Sequence, residues 1–315
     1  MSKVVMKGFE PPVSKTYYHW EKGVEAHGDQ YITVEDPNWQ VSYADCWYQT
    51  NMLKSKFLHD NNADNIGAKY LHIIESGKPW IVSESNPFRE FGGYTRFGWH
   101  SYLYDGNFNN EKVGRDRWNK FANETGISFK DFGPRGDYIL FIGQKEGDSS
   151  LRKLYADGWP SMYAWMEKII RDIRRWSDRP IRIRPHPKNL TRGMKSAHRI
   201  TQGVGMKGVS ISENFTSLGS QGGEGLDKDL NNAYCVITWN SNSAIECATR
   251  GVPFYSLDPY SLTHEISQKG LHNIESLNTN ISLEKWQNKI AYTIWNKEEV
   301  HTGKAWAHLR PVYFT

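Results

Sequence analysis

Apolar runs alternate with amphipathic stretches along the second half of the chain. Tyr138 to Ile142 (YILFI) and Tyr234 to Thr238 are continuous apolar runs that predict buried strands, and Ile181 to Arg184 (IRIR) alternates as a strand does. Apolar positions within residues 161–176 recur every three or four residues and predict a helix with one buried face. That face comprises Met162, Trp165, Met166, Ile169, Ile170, Ile173 and Trp176. Strands alternating with helices predict an α/β fold.

The first half of the chain carries weaker patterns. An amphipathic helix is predicted for residues 63–76, with its end at Gly77. The aromatic, glycine-rich residues 91–108 follow neither period and predict an irregular loop of the kind that carries function. Short strands are predicted at Val4 to Gly8, Tyr31 to Glu35 and Lys78 to Ser83.

The chain is long enough for two domains. Glycine and proline cluster at residues 131–137, just before the YILFI strand, and such clusters mark connections between elements. We therefore expect one domain at residues 1–134 and a second at residues 135–315, which ends in a helix.

Composition excludes several classes of protein. The net charge is only +4, and no run of about 18 apolar residues is present, so we expect no membrane insertion. The first residues lack the apolar core of a signal peptide. Three cysteines, odd in number and widely spaced, argue against a disulfide framework or a zinc site. These features predict a cytoplasmic location.

Polar residues follow the strand at Tyr234 to Thr238. Ser241, Asn242 and Ser243 stand between this strand and a short helix that stops at Gly251. Free N–H groups and the helix dipole at such a junction favour a phosphate. Glu246 follows one turn later, where it could accept hydrogen bonds from sugar hydroxyls. An ordinary capped helix accounts for the same serines and asparagine.

A second polar segment follows the IRIR strand. Pro185 and Pro187 restrict the backbone on both sides of His186 at the end of this strand. Ligands of open α/β sheets bind at that edge. A histidine flanked by Arg184 and Lys188 suits a diphosphate, whose charge it would neutralise.

A third segment, GQKEGDSS at residues 143–150, follows the YILFI strand. Together, the three segments resemble the glycosyltransferases of the capsule-polysaccharide and Kdo-transferase group, whose His-Pro and serine motifs also occur in bacterial sialyltransferases and polyol-phosphate polymerases. The resemblance covers roughly residues 137–315. It implies the GT-B architecture, in which two Rossmann-like domains face each other across a cleft. The nucleotide sugar, a UDP- or CMP-sugar, would lie on the second domain and the acceptor on the first.

The resemblance also assigns roles to individual residues. It implies that Gln144, Asp148 and Ser149 line the nucleotide pocket and that Glu246 holds the ribose. Transfer to a hydroxyl further needs a group that takes the proton. Glu84, at the end of a predicted strand, and Asp105 are the candidates in the first domain, with His186 as the third catalytic residue.

Both candidate bases have structural alternatives. Asp105-Gly106 is similar to the acidic-acidic-glycine motif of the sialyltransferases, but Tyr104 replaces the first acid and Asp-Gly is a common turn pair. Glu84 has possible ion-pair partners in Arg89 and Arg96.

Two further motifs are set aside. Residues 203–208 (GVGMKG) fit a dinucleotide fingerprint, but they precede a strand instead of following one. Asp227 and Asp229 fit a metal-binding DxD pattern but lie in a predicted helix, where two acids usually form a solvated face. We therefore expect no obligatory metal.

The sequence constrains the identity of the acceptor less than any other part of the reaction. The polar face of the 161–176 helix carries Arg171, Arg174 and Arg175, which suit a nucleic-acid backbone, although a solvated helix face is the usual reason for such charges. Some phage enzymes that glycosylate hydroxymethylated pyrimidines are similar to this group. The favoured acceptor is therefore 5-hydroxymethylcytosine in double-stranded phage DNA. The alternatives are a capsule or lipopolysaccharide glycan, and a non-catalytic nucleotide- or DNA-binding protein.

Overall fold

The protein forms two compact units in a computed structural model. Unit 1 consists of Met1–Gly126 together with Glu284–Thr315, and unit 2 is Ile127–Leu283. The described residues are 3–9, 20–34, 43–50, 72–187, 190–214 and 223–315.

The strands are numbered in chain order. They are β1 (Val5–Phe9), β2 (Gln30–Thr33), β3 (Cys46–Thr50), β4 (Trp80–Ser85), β5 (Tyr94–Trp99), β6 (Tyr138–Ile142), β7 (Ile181–Arg184), β8 (Val209–Ile211), β9 (Ala233–Thr238), β10 (Phe254–Ser256) and β11 (Ile294–Asn296). The six strands predicted above are all present, and their ends agree with the prediction within two residues.

The helices are α1 (Trp20–Ala26), α2 (Asp116–Thr125), α3 (Arg152–Ala156), α4 (Met162–Ile173), α5 (Leu190–Thr201), α6 (Gly223–Leu230), α7 (Ser243–Arg250), α8 (Glu284–Ala291), α9 (Lys297–His301) and α10 (Lys304–Leu309). Residues 72–75 are also helical, and Gly77 follows with a φ of 66°, in agreement with the predicted helix end. The earlier part of that predicted helix lies outside the described residues. None of the helices in the described ranges has the length and apolar character needed to cross a bilayer.

Unit 1 contains a mixed sheet with the strand order β2-β1-β3-β4-β5-β11. The first four strands are parallel to one another, whereas β5 is antiparallel to both β4 and β11. In this order β2 lies on one side of β1 and β3 lies on the other. The strand order therefore reverses between β1 and β3, which makes this gap the switch point of the sheet. Ligands of open α/β sheets bind outside the carboxyl ends of strands at such a switch point.

Strand β5 corrects the irregular loop predicted at residues 91–108. All six of its residues are buried, and β5 pairs with β4 on one side and with the edge strand β11 on the other. A strand covered on both faces shows no alternation of polar and apolar residues. A side chain at Gly98 would also meet the Ser101 carbonyl oxygen at 2.4 Å, so a glycine is needed in this strand.

The segment after residue 283 belongs to unit 1. Strand β11 pairs with β5, and the Trp99 indole N–H donates to the carbonyl of Leu309 at 2.9 Å. The buried Asp29 carboxylate accepts hydrogen bonds from Trp306 Nε1 at 2.7 Å and from Arg310 Nε at 2.9 Å. The predicted domains at residues 1–134 and 135–315 therefore divide the chain differently from these two units, because the C-terminal helices pack on the earlier sheet.

Unit 2 contains a sheet of five parallel strands in the order β8-β7-β6-β9-β10. Counted within the unit, this is the order 3-2-1-4-5, which is compatible with a Rossmann-like fold. The switch point of this sheet lies between β6 and β9. Helix α7 ends at Gly251, which has a φ of 68° and lies so close to the Asp131 carbonyl oxygen that a Cβ atom would be 2.2 Å from it.

Helix α4 packs one face into the core of unit 2, as its pattern predicts. Met162, Trp165, Met166, Ile170 and Ile173 are buried, and Ile169 is partly buried against the same cluster. Trp176 is an exception, since 52% of its surface is exposed. The helix ends at Ile173, so Trp176 no longer follows the helical period and leaves the buried face.

Candidate functional site

The switch point of unit 2 is occupied by a pair of buried carboxamides. Gln144 follows β6 and Asn240 follows β9, and they are 7% and 5% exposed. The backbone N–H of Asn240 donates to Gln144 Oε1 at 3.0 Å, and Gln144 Nε2 donates to Asn240 Oδ1 at 2.7 Å. Two loops at the carboxyl end of the sheet are thereby joined.

Two further groups fix the side chain of Asn240. Its Nδ2 donates to the carboxylate of Asp258 at 2.6 Å and to the carbonyl of Ser150 at 2.7 Å. Asp258 follows β10, is 1% exposed, and also accepts from the backbone N–H of Tyr260 at 2.9 Å. Asn240 therefore connects the loops that follow β6, β9 and β10.

The serine segment lies directly after Asn240. Ser243 N donates to Ser241 Oγ at 3.2 Å, and the two hydroxyl groups are 3.2 Å apart. Asn242 is the N-cap residue of α7, but its side chain makes no capping hydrogen bond. Glu246 lies in the first turn of the helix and is 8% exposed. The structure thus brings these four residues to one helix start at the carboxyl end of the sheet, as the sequence predicts.

The His-Pro segment lies at the same edge of the sheet. His186 follows β7 directly and is partly buried between the buried Pro185 and the partly buried Pro187. The neighbouring Gly143 N–H donates to the Arg184 carbonyl at 2.9 Å, which joins the ends of β6 and β7. Lys188 lies outside the described residues.

Arg184 points into the interior of unit 2. Its Nη1 is 2.6 Å from Asp229 Oδ2, and it also donates to the carbonyl groups of Asn214 and Gly225 at 3.0 and 3.3 Å. Asp229 is fully buried, which corrects the solvated helix face predicted for it. It also accepts from the Ser212 hydroxyl and from Asn214 Nδ2 at 2.8 Å.

Asp148 and Ser149 occupy the turn after β6. Asp148 accepts from the backbone N–H of Ser150 at 3.0 Å and so caps the short 3₁₀ helix Ser149–Leu151, in which Ser149 is buried. Both the nitrogen and the oxygen of the Gln144 carboxamide are hydrogen-bonded within unit 2. These residues therefore shape the loop beside the switch point, and the carboxamide of Gln144 is committed to Asn240.

The two candidate bases lie in unit 1. Glu84 is near the carboxyl end of β4, is partly buried, and accepts from the N–H and the hydroxyl of Ser85 at 2.7 and 2.9 Å. Asp105 is exposed in a turn closed by a 2.8 Å hydrogen bond from Gly106 N to the Leu103 carbonyl. The turn alternative for Asp105 is thus confirmed as its local structure.

The three arginines predicted to contact DNA differ in their surroundings. Arg171 donates to the Val204 carbonyl at 2.7 Å and pairs with Glu167 at 2.8 Å. Arg174 donates to the carbonyl groups of Ser177, Arg179 and Lys207 at 3.1, 2.8 and 3.1 Å. Burial lowers the pKa of its guanidinium from the ordinary value. Arg175 is exposed beside the exposed Trp176.

These arginines lie at the amino end of the unit 2 sheet, whereas the candidate site lies at its carboxyl end. Arg171 lies in the last turn of α4, and Arg174 and Arg175 follow that helix. All three precede β7 and therefore stand near the amino end of that strand, whereas His186 follows its carboxyl end. Within the described ranges, no group of three or more His, Cys, Asp or Glu side chains is arranged to hold a metal ion.

Sequence reasoning missed Asn240 and Asp258. Both look like ordinary turn residues, and only the parallel pairing of β6, β9 and β10 brings them together. Each stands two residues after the end of its strand, and this shared position after adjacent strands is the one signal that could have identified them.

Comparisons with known proteins leave the family open. No protein-family model matches the sequence, and no curated protein matches it significantly.

Proposed function

We propose that the protein is a glycosyltransferase that moves a sugar from a nucleotide-sugar donor to a hydroxyl group. One observation carries the proposal. Three polar segments that resemble glycosyltransferase motifs follow β6, β7 and β9, the three central strands of a parallel sheet, and therefore converge at its carboxyl end beside the switch point.

The donor would bind to unit 2. The start of α7, with Ser241 and Ser243, offers backbone N–H groups and the positive end of a helix dipole to a phosphate. His186, held between two prolines, would donate a hydrogen bond to the leaving diphosphate as its charge develops. Glu246 would accept hydrogen bonds from ribose hydroxyls.

The Asn240 network gives this site its rigidity. The Ser241 to Ser243 turn begins one residue after Asn240, whose backbone and side chain are both hydrogen-bonded. A site held in place before the ligand binds loses less conformational freedom on binding.

In the transfer step, the acceptor oxygen forms a bond to the anomeric carbon of the sugar. The bond from that carbon to the diphosphate oxygen breaks, and the diphosphate leaves with the bonding electrons. The acceptor proton would go to a carboxylate, for which Glu84 is the preferred candidate because Asp105 lies in a turn.

The structure gives the DNA acceptor less support than the sequence does. Arg171 and Arg174 donate to carbonyl groups of unit 2 and stand near the amino end of β7. The experiment that tests the proposal therefore includes both hydroxymethylcytosine DNA and glycans as acceptors.

The test is nucleotide release from a panel of UDP- and CMP-sugars, with hydroxymethylcytosine DNA or bacterial glycans as acceptor and mass spectrometry of the product. We expect release that depends on acceptor, and a loss of at least about a hundredfold in turnover in His186→Ala, the usual contribution of a positioned catalytic group. His198→Ala, an exposed histidine of α5 in the same unit, is the matched control. Turnover in His186→Ala equal to that of the control would refute the proposed role of His186. No release from any donor would refute the enzyme activity.

A further inference from the structure

The positive charge of the protein is concentrated in one stretch of unit 2. Residues 179–212 contain eight Lys or Arg residues and neither Asp nor Glu, although the net charge of the whole protein is only +4. The rest of the chain is therefore net negative. This stretch forms β7, α5 and β8, which are the two outermost strands at one edge of the unit 2 sheet and the helix between them.

Only part of this charge is neutralised by acids from elsewhere in the unit. Arg179 pairs with Glu275 at 2.9 Å, and Arg184 pairs with Asp229 at 2.6 Å. The cations of this stretch whose described side chains are exposed are Lys195, Arg199 and Lys207. In the described part of the chain, none of these three pairs with a carboxylate. They leave an exposed positive surface on α5 and on the turn that follows it.

The neighbouring helix α4 shows how different this surface is. Two cations of α4 each pair with an acid four residues away, as is usual on a solvated helix face. The pairs are Lys168–Asp172 at 2.5 Å and Arg171–Glu167 at 2.8 Å. On α5, Lys195 and Arg199 are also four residues apart, but they carry the same charge, which destabilises a helix. Helix stability therefore does not explain the α5 surface, whereas an anionic partner would relieve the repulsion.

The turn after α5 is held against α4. Arg171 Nη1 donates to the Val204 carbonyl at 2.7 Å, and Arg174 Nη2 donates to the Lys207 carbonyl at 3.1 Å. These bonds fix the GVGMKG segment at residues 203–208, from which the Lys207 side chain is exposed. The surface is thus held in place before any partner binds, which reduces the loss of conformational freedom on binding.

The surface begins at the same edge of the sheet as the candidate site. Helix α5 starts at Leu190, three residues after Pro187, and runs from the carboxyl end of β7 towards the amino end of β8. Lys195 lies roughly 7.5 Å and Arg199 roughly 13.5 Å along the helix axis from its start, at about 1.5 Å per residue. A long anion that follows α5 therefore reaches the edge where His186 lies.

A nucleic-acid duplex is the anion that this surface fits best, because a duplex carries a regular array of phosphates. Proteins that bind single strands stack bases on aromatic side chains, and residues 190–208 contain no Phe, Trp or Tyr. A helix that binds a membrane places apolar side chains in the bilayer, whereas Ala197 and Ile200 of α5 are buried in the core of unit 2.

We propose that the exposed face of α5 and the 203–208 turn bind the phosphate backbone of double-stranded DNA through Lys195, Arg199 and Lys207. Such contacts position a duplex without reading its sequence. A duplex held along α5 extends to the carboxyl edge of the sheet, where the donor is proposed to bind. This inference rests on the proposed function only in taking DNA as the acceptor, because duplex binding is measured without a donor.

The test is fluorescence anisotropy of a labelled DNA duplex of about 20 base pairs, titrated with the protein at several salt concentrations. The duplex is prepared with and without hydroxymethylcytosine, and we expect similar binding of both. The double variant Lys195→Gln/Arg199→Gln should raise the Kd about tenfold or more. It should also lower the slope of log Kd against log salt concentration by about 2, since each lost phosphate contact removes roughly 0.9.

Thermal unfolding shows whether the double variant is folded. Glutamine has nearly the helix propensity of lysine and arginine, and its introduction removes the repulsion between the two cations. The Tm of Lys195→Gln/Arg199→Gln should therefore equal or exceed that of the wild type. A weaker affinity at an unchanged Tm then reports on the surface and not on the fold.

A second double variant, Lys130→Gln/Lys228→Gln, is the matched control for net charge. Both lysines are exposed in unit 2 and lie near α7: Lys130 N donates to the Thr249 carbonyl at 3.1 Å, and Asp227, next to Lys228, pairs with Arg250 at 2.6 Å. The connection from β9 to β10 runs opposite to that from β6 to β7, so right-handed crossovers place α7 on the other face of the sheet from α4 and α5. This variant should keep the Kd and the salt slope of the wild type.

Three results would overturn the proposal. They are a Kd and a salt slope that are unchanged in Lys195→Gln/Arg199→Gln, an equal loss of affinity in the control variant, and the absence of duplex binding at low salt. In the last case, binding to phosphatidylserine vesicles would assign the surface to a membrane instead. Duplex binding that depends on Lys195 and Arg199 without any nucleotide release would keep this surface and refute only the transfer reaction. Nucleotide release with glycans and no duplex binding would keep the transfer reaction and refute this surface.

Discussion

Gln144 and Asn240 hydrogen-bond to each other twice, through Asn240 N to Gln144 Oε1 at 3.0 Å and through Gln144 Nε2 to Asn240 Oδ1 at 2.7 Å. They follow adjacent parallel strands, β6 and β9, which are nearly a hundred residues apart in the sequence. The pair joins the two halves of the unit 2 sheet at the point where a nucleotide is proposed to bind.

Loss of the Asn240 side chain should destabilise unit 2. Asn240→Ala removes the hydrogen bonds that this buried side chain gives to Asp258 and Ser150 and accepts from Gln144, so we expect a loss of about 3 kcal/mol in the free energy of unfolding. Asn242→Ala is the control, because this side chain makes no capping hydrogen bond. Urea unfolding measures both variants.

The network also predicts coupling between its members. Asp258→Ala combined with Asn240→Ala should cost less than the sum of the two single changes, since they remove the same 2.6 Å hydrogen bond. Strictly additive losses, or a loss in Asn242→Ala as large as in Asn240→Ala, would contradict the connecting role of Asn240.

The ion pair between Arg184 and Asp229 should be essential to the fold of unit 2. Arg184→Met leaves the fully buried Asp229 without its cation, and breaking one partner of a buried pair costs about 3–5 kcal/mol. Arg182→Met is the control on the same strand, where the guanidinium lies 4.0 Å from the centre of the Tyr138 ring and a loss of about 1 kcal/mol is expected. Differential scanning calorimetry compares the two variants.

A double variant then separates the fold from ligand binding. Arg184→Met with Asp229→Asn removes both charges and should recover part of the lost stability. If nucleotide affinity in this variant equals that of the wild type, Arg184 supports the fold alone. A large loss of affinity with the stability recovered would restore the sequence prediction that Arg184 holds the diphosphate.

The stability of unit 1 should depend on pH through Asp29. Burial opposes ionisation of this carboxyl, but hydrogen bonds from Arg310, Val4 N and Trp306 outweigh it and hold its pKa below the ordinary value of 3.8. A carboxyl with a lowered pKa in the folded state stabilises the fold above its unfolded pKa. That contribution is lost as the pH falls through the lower, folded pKa.

The measurement is the Tm of the wild type and of Asp29→Asn from pH 7 downward. We expect a constant difference at and above pH 5 or so, and a difference that shrinks as the pH falls below 3.8. Glu25→Gln, an exposed carboxyl on α1, is the control and should show no such trend. A difference that grows toward acid would contradict the assignment.

The sequence predicted the elements of unit 2 well because its strands are apolar throughout and its helix α4 has a clear period. Strand β6 has the predicted bounds, and the three polar segments do meet at one edge of the sheet. These are local patterns, and parallel pairing follows from them when helices connect the strands.

What the sequence could not show depends on contacts between distant residues. Asp229 appears as one charge on a polar helix, and only the fold places Arg184 beside it. Strand β5 shows no alternation because both of its faces are covered, and β11, the strand with which it pairs, lies almost two hundred residues later. The sequence places the C-terminal segment in the second domain, because its pairing with β5 also depends on residues that are far apart in the sequence.

The pairing of β5 with β11 has a consequence for biosynthesis. Unit 2 is continuous in the sequence, so all of its strands can leave the ribosome and pack before the polypeptide is finished. Unit 1 begins to emerge first, yet its sheet lacks the edge strand β11, and Asp29 lacks Arg310, until residues 284–315 are translated. The sheet of unit 1 is therefore started before that of unit 2 and completed after it.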